Sequence, residues 1–136
     1  MVNIRYKYLD KKKALSIIEA SEKEMNFTFS LQINEDSGST IIRNIYEDFR
    51  MLGEALLIYQ GLESEDHIET IKELLKIKIE TERPLALVDN LRRIRNNINY
   101  RAYRPKLEEI EDALSLANSC FSPLAKAIKQ KIENKK

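Results

Sequence analysis

Tryptophan is absent from this 136-residue chain, and histidine and cysteine occur once each, as His67 and Cys120. A single cysteine excludes an intramolecular disulfide framework and a zinc site built from several thiolates. A single histidine excludes, within one chain, any mechanism that needs two imidazoles. Three glycines and three prolines are too few for an all-β fold with many tight turns, and they favour long helices. The glycines Gly38, Gly53 and Gly61 stand too far apart to write either G-x-G-x-x-G or a Walker loop. No apolar run approaches the ~20 residues of a membrane span. The first residues, Met1-Val-Asn-Ile-Arg-Tyr-Lys-Tyr, are charged and aromatic where a secretory leader needs an apolar core. The expectation is a soluble, cytoplasmic protein without a membrane segment, in which one reduced thiol is ordinary.

What is present is globular in character: 43% hydrophobic and 33% charged residues, with 23 Lys+Arg against 22 Asp+Glu for a net charge of +1. The length suits one domain over residues 1–136. The clearest periodicity is Ile42, Ile45, Phe49, Leu52, Leu56 and Tyr59, stepping by three and four residues as a helical seam does. Ser37-Gly38-Ser39-Thr40 reads as a preceding loop with hydroxyl N-cap candidates, and Gly61 as a C-terminal stop. Upstream, Leu15, Ile18, Met25 and Phe29 predict a first helix over about residues 8–32. A short third helix is expected from about Asp66 to Ile79, with the acidic run Glu63 to Asp66 at its positive end.

Pro84 suits the first turn of a fourth helix carrying Leu87, Leu91, Ile94 and Ile98, which Pro105 is expected to stop. A fifth helix begins near Lys106 and shows Leu107, Ile110, Leu114, Ala117, Phe121, Leu124 and Ile128 at helical spacing. Ser122-Pro123 should kink or break it. No period-2 segment is visible, and the lysine-rich tail 129–136 is expected to fray. The predicted fold is an all-α, antiparallel up-and-down bundle of four to five helices.

Residues 91–106 hold six basic side chains (Arg92, Arg93, Arg95, Arg101, Arg104 and Lys106) and no acid, so this window carries +6 in a chain of +1. With Ile94 and Ile98 facing the core, Arg92, Arg95, Asn96 and Asn99 share a second helix face, bordered by Tyr100 and Tyr103. Guanidinium forks match phosphate oxygens, amides and phenols hydrogen-bond sugar or base, and aromatic rings stack on unpaired bases. The alternative is structural. The arginines then pair with Glu108, Glu109, Glu111 and Asp112 on the next helix, and the asparagines close a polar network inside the bundle.

The run Arg95-Asn96-Asn97-Ile98-Asn99-Tyr100 resembles the motif region of HEPN domains, the nucleotide-binding helical domains of prokaryotes and eukaryotes. It is most similar to an archaeal branch carrying Arg-Asn-x-Ile-Asn-Tyr at this point. The resemblance implies a four- or five-helix bundle, usually a homodimer and often encoded beside a minimal nucleotidyltransferase in toxin–antitoxin pairs. From the residues themselves, no cofactor and no metal site are expected. Active members are metal-independent endoribonucleases whose motif arginine and histidine, separated by four to six intervening residues, meet across two protomers.

By that resemblance Arg95 is the group that holds the scissile phosphate, and Asn96 is the polar residue that follows it. Tyr100 stands where the histidine belongs, and neither Arg101 nor Ala102 supplies one. A phenol titrates near ~10, whereas cleavage through a 2′-hydroxyl needs a proton acceptor near neutral pH. Loss of such a group lowers a rate by about 10²–10⁴-fold, so a binding module with little or no ribonuclease activity is expected. If activity survives, Arg95 and Tyr100 carry it. The expected nucleotide- or RNA-binding set is Arg92, Arg95, Asn96, Asn99, Tyr100, Arg101, Tyr103 and Arg104. Elsewhere, His67 reads as a surface residue at a helix start, Cys120 as a buried inert thiol, and the carboxylate groups Glu19–Glu22–Glu24 and Glu47–Asp48 as solvated faces.

Overall fold

In a computed structural model of the chain, residues 4–6, 10–64 and 67–134 are described. Helix α1 spans Lys11–Phe29, three residues shorter at each end than the periodicity predicts. The Asp10 carboxylate fixes its start by accepting from the Lys13 N–H at 2.8 Å. Beyond it, Ser37 and Asn34 tie the loop to itself. The Ser37 N–H donates to Asn34 Oδ1 at 2.9 Å, and the Ser37 hydroxyl donates to the Gln32 carbonyl at 2.6 Å. That hydroxyl is therefore occupied and caps nothing. Helix α2, Gly38–Tyr59, begins earlier than expected, with Ser37 at its N-cap but no side-chain cap bond. Gly61 ends it as predicted, at φ 78°, a region where a Cβ is unwelcome.

Two three-residue strands, β1 (Ile4–Tyr6) and β2 (Leu62–Ser64), pair antiparallel with Ile4 opposite Ser64 and Tyr6 opposite Leu62. Their length explains why no alternating pattern showed. The expected acidic helix start is thus partly strand: Glu63 and Ser64 belong to β2, while Glu65 and Asp66 lie outside the described residues. Helix α3, His67–Leu75, stops before Ile79 because its last turn tightens, the Ile77 N–H bonding the Leu74 carbonyl at 3.0 Å. Pro84 precedes a single 3-10 turn (Leu85–Leu87) that leads into α4, Val88–Arg101.

Pro105 does not end α4. The helix stops earlier, at Ala102, whose φ of 53° and ψ of 31° are left-handed, and the Tyr103 N–H then reaches back to the Asn97 carbonyl at 3.1 Å. Alanine gives no sequence sign of this, since the position favours glycine. Ala102 is exposed, so Ala102→Gly removes the backbone strain and sacrifices no packing. The substitution is expected to stabilise the fold by about 1 kcal/mol, read as a higher denaturant midpoint at unchanged m-value.

Helix α5, Leu107–Asn134, passes through Pro123 without a break. Proline removes one backbone donor, but apolar packing on both sides of it, from Phe121, Leu124 and Ala125, holds the two halves on the same core. The 129–136 stretch expected to fray is helical to Asn134. Ile128 and Ile132 are fully buried, and Lys129 meets Glu22 of α1 at 2.6 Å.

Helix α2 is the central element, with α1, α3, α4 and α5 packed around it. The side chains that meet across the helices give the directions. Asn44 of α2 bonds Thr28 of α1 and Asp48 faces Glu24, so those two helices are antiparallel. Arg43 bonds Asn99 and Tyr46 lies under Arg95, so α2 and α4 are antiparallel as well. Gly38 faces Ile110 and the Phe49 ring meets Phe121 edge-on at 5.5 Å, which makes α2 and α5 parallel. The four long helices therefore form an all-α up-and-down bundle, and the apolar seam of α2 is its core, with Ile42, Ile45, Phe49 and Leu52 fully buried. Among the described residues no helix is long and apolar enough to cross a membrane.

Candidate functional site

Helix α4 divides its side chains by face. Leu91 and Ile98 are buried in the core, while Arg93, Asn97 and Arg101 are exposed. Between these faces lies a seam against α2, where the structure brings together Arg92, Arg95 and Asn99 with Arg43, Tyr46 and Arg50. The Arg95 guanidinium carbon sits 4.7 Å from the centroid of the Tyr46 ring, inside cation–π range. Tyr46 is 1% exposed, so it forms a rigid platform. Burial raises its phenol pKa, partly offset by a hydrogen bond from Arg95 and by the charges of Arg95, Arg92 and Arg50.

One turn along, Arg43 Nε donates to Asn99 Oδ1 at 2.8 Å, leaving the rest of an exposed guanidinium beside the seam. At the other end, Arg50 is clamped by Glu47 at 2.6 Å and Glu54 at 3.0 Å, and its pKa is raised chiefly by the Glu47 hydrogen bond. Arg92 Nε pairs with Asp89 of its own helix at 3.3 Å. The seam thus grades from carboxylate-bound arginine at Arg50 to arginine with open donors at Arg43.

Among the described residues no hydrogen bond or ion pair ties the remaining expected residues to this cluster. Tyr100 is 77% exposed and makes no hydrogen bond among the described residues. Asn96 is half-buried. Arg101 is exposed, and Arg104 makes a surface pair with Asp36 at 3.2 Å, beyond the left-handed turn that redirects the chain. The Tyr103 hydroxyl donates to Glu109, which raises its pKa and ties it to α5.

The alternative pairing of the window's arginines with the acids of α5 is not what Asp112 and Glu109 do. Asp112 holds Arg83 at 2.9 Å, and Glu109 accepts from Tyr103 and from the Lys106 N–H at 2.9 Å. The asparagines close no interior network either, since Asn99 is exposed and bonds Arg43.

Three residues of the seam, Arg43, Tyr46 and Arg50, escape a reading centred on the basic window. The signal was there, because they share one face of α2 at i, i+3 and i+7. It was masked by the stronger apolar stripe of the same helix. Cys120 is buried, its thiol directed at the Arg83 carbonyl. His67 begins α3, and its side chain lies outside the described residues.

Asp48 corrects the sequence reading. It is not part of a solvated face: it is fully buried, and no donor reaches either carboxylate oxygen. Burial first, then the Glu24 carboxylate beside it, pushes its pKa up to about 9. No group of three or more His, Cys, Asp or Glu side chains that could hold a metal occurs among the described residues. Compared with known proteins, the chain matches no family model, no curated protein and no solved structure.

Proposed function

We propose that the α2–α4 seam binds the phosphate backbone of single-stranded RNA, or a nucleotide, and does not cleave it. The observation that carries this reading is the stack of Arg95 on buried Tyr46, which holds a guanidinium in a defined orientation between two further arginines, Arg92 and Arg43. An arginine whose rotamer is already set loses less entropy on meeting a phosphate. Asn99 and exposed Tyr100 add polar and stacking partners within the same two turns. Catalysis is not part of the proposal, because the position that resembles the motif histidine holds an exposed phenol with no supporting hydrogen bond among the described residues. The resemblance to HEPN domains supports the same reading and adds a homodimeric assembly with a minimal nucleotidyltransferase partner.

Titrating a fluorescent single-stranded RNA at two salt concentrations tests the proposal. Binding is expected to weaken with salt. Arg92→Ala/Arg95→Ala should lower the affinity by tenfold or more and reduce the salt slope by roughly one for each phosphate that the variant no longer neutralises. The RNA is expected to stay intact. Robust cleavage abolished by Arg95→Ala overturns the non-cleaving assignment. Absence of binding at either salt overturns the RNA reading and favours a scaffold, in which the carboxylate partners of Arg50 and Arg92 already complete the seam.

A further inference from the structure

Helices α4 and α5 follow one another in the chain and both pack on α2, yet their backbones scarcely approach each other. Between them runs a groove of about 350 Å³. Its floor is apolar: Leu91, Ala113 and Leu116 lie at the bottom, and Leu87 and Ile94 are only partly buried. One wall carries three carboxylates, Glu108, Glu109 and Asp112, all from the first two turns of α5, and the other wall presents the neutral Asn90. Two of the acids are fixed in place, Glu109 by Tyr103 and Asp112 by Arg83, and Glu108 is exposed to water. Three carboxylates against one guanidinium leave the rim negative.

A negative rim over an apolar floor repels phosphate, so this groove does not suit the ligand proposed for the α2–α4 seam. It suits a chain segment that brings both aliphatic side chains and cations. The stretch along the groove from Leu87, the N-cap of α4, to Ile94 rises about 10 Å at 1.5 Å per residue, which matches two turns of an opposing helix. We infer that the α4–α5 groove docks a basic amphipathic helix of a partner protein. Two or three apolar side chains at i, i+3 or i+4, and i+7 enter over Leu91, Ile94 and Leu116, and flanking Lys or Arg side chains meet Glu108 and Asp112. The docking does not depend on RNA binding, which uses a different face of α4.

The test uses the full chain, isotopically labelled, with two synthetic 18-residue helical peptides that share one leucine stripe and carry either lysine or glutamate at every other position. The lysine peptide is expected to bind, and the amide resonances it shifts are expected to cluster in 87–94 and 108–116. Asn90→Lys and Glu108→Lys change exposed side chains only, and together they should weaken that peptide about tenfold while improving the glutamate peptide. Arg43→Ala should leave lysine-peptide binding unchanged, which separates this surface from the seam. Equal binding of both peptides, shifts that cluster elsewhere, or no binding overturns the assignment.

Discussion

Replacing Asp48 with asparagine is expected to raise the stability of this protein at neutral pH. The carboxyl is buried between α1 and α2 with no donor to either oxygen, and its neighbour Glu24 is another carboxylate. Its folded pKa of about 9 lies far above the ordinary 3.8, so between those values the folded chain holds a proton that the unfolded chain has released. Folding must then take up a proton, and stability falls as pH rises through this window, levelling only above the folded pKa. At 1.36 kcal/mol per pH unit, the cost at pH 7 relative to acid pH is about 4 kcal/mol.

Asparagine has the shape of the protonated acid, and its amide can donate to Glu24 as that acid would. Asp48→Asn should therefore gain on the order of 2–4 kcal/mol at pH 7, several degrees in Tm, and nearly nothing at pH 4. Thermal melts of both proteins from pH 4 to pH 10 check this. Curves that run parallel across the range would show that Asp48 does not titrate as its surroundings require.

Gly53→Ala is expected to produce the largest loss. Gly53 sits where α2 and α3 touch, and a Cβ there would lie 2.1 Å from the Thr70 carbonyl oxygen and 2.7 Å from its carbon. Both are backbone atoms of a helix, so relief requires moving α3 off the core that Ile71 and Leu74 help to form. Overpacking of a side chain costs about 1–3 kcal/mol, and a rigid backbone obstacle places this case at or above the top of that range. Alanine's better helix propensity returns only about 1 kcal/mol.

Gly38→Ala is the control. Its Cβ would meet Ile110 Cδ1 at 2.4 Å, but that atom is the tip of a side chain that can change rotamer. Urea unfolding should rank the destabilisation of Gly53→Ala above that of Gly38→Ala. The reverse order would contradict the close approach of α2 and α3.

The all-α class and the core were legible in the chain because burial on one side of a helix imposes a 3.6-residue rhythm. Ile42, Ile45, Phe49 and Leu52 show it, and they are fully buried. Gly61 was legible because a positive φ selects glycine, whereas the left-handed Ala102 was not, since it breaks that preference. The basic window around Arg95 was visible as composition.

Its platform was not: Tyr46 lies 49 positions earlier, and spacing along a chain tells which residues share a helix face, never which face of another helix stands opposite. The same holds for Asp48, polar by type and flanked by Glu47, hence read as solvated until α1 closes over it and sets Glu24 beside it. Local periodicity is a property of one helix and can be read from it alone. The pairing of Arg95 with Tyr46, the acidic groove between α4 and α5 and the perturbed carboxyl of Asp48 arise only where helices distant in sequence pack together.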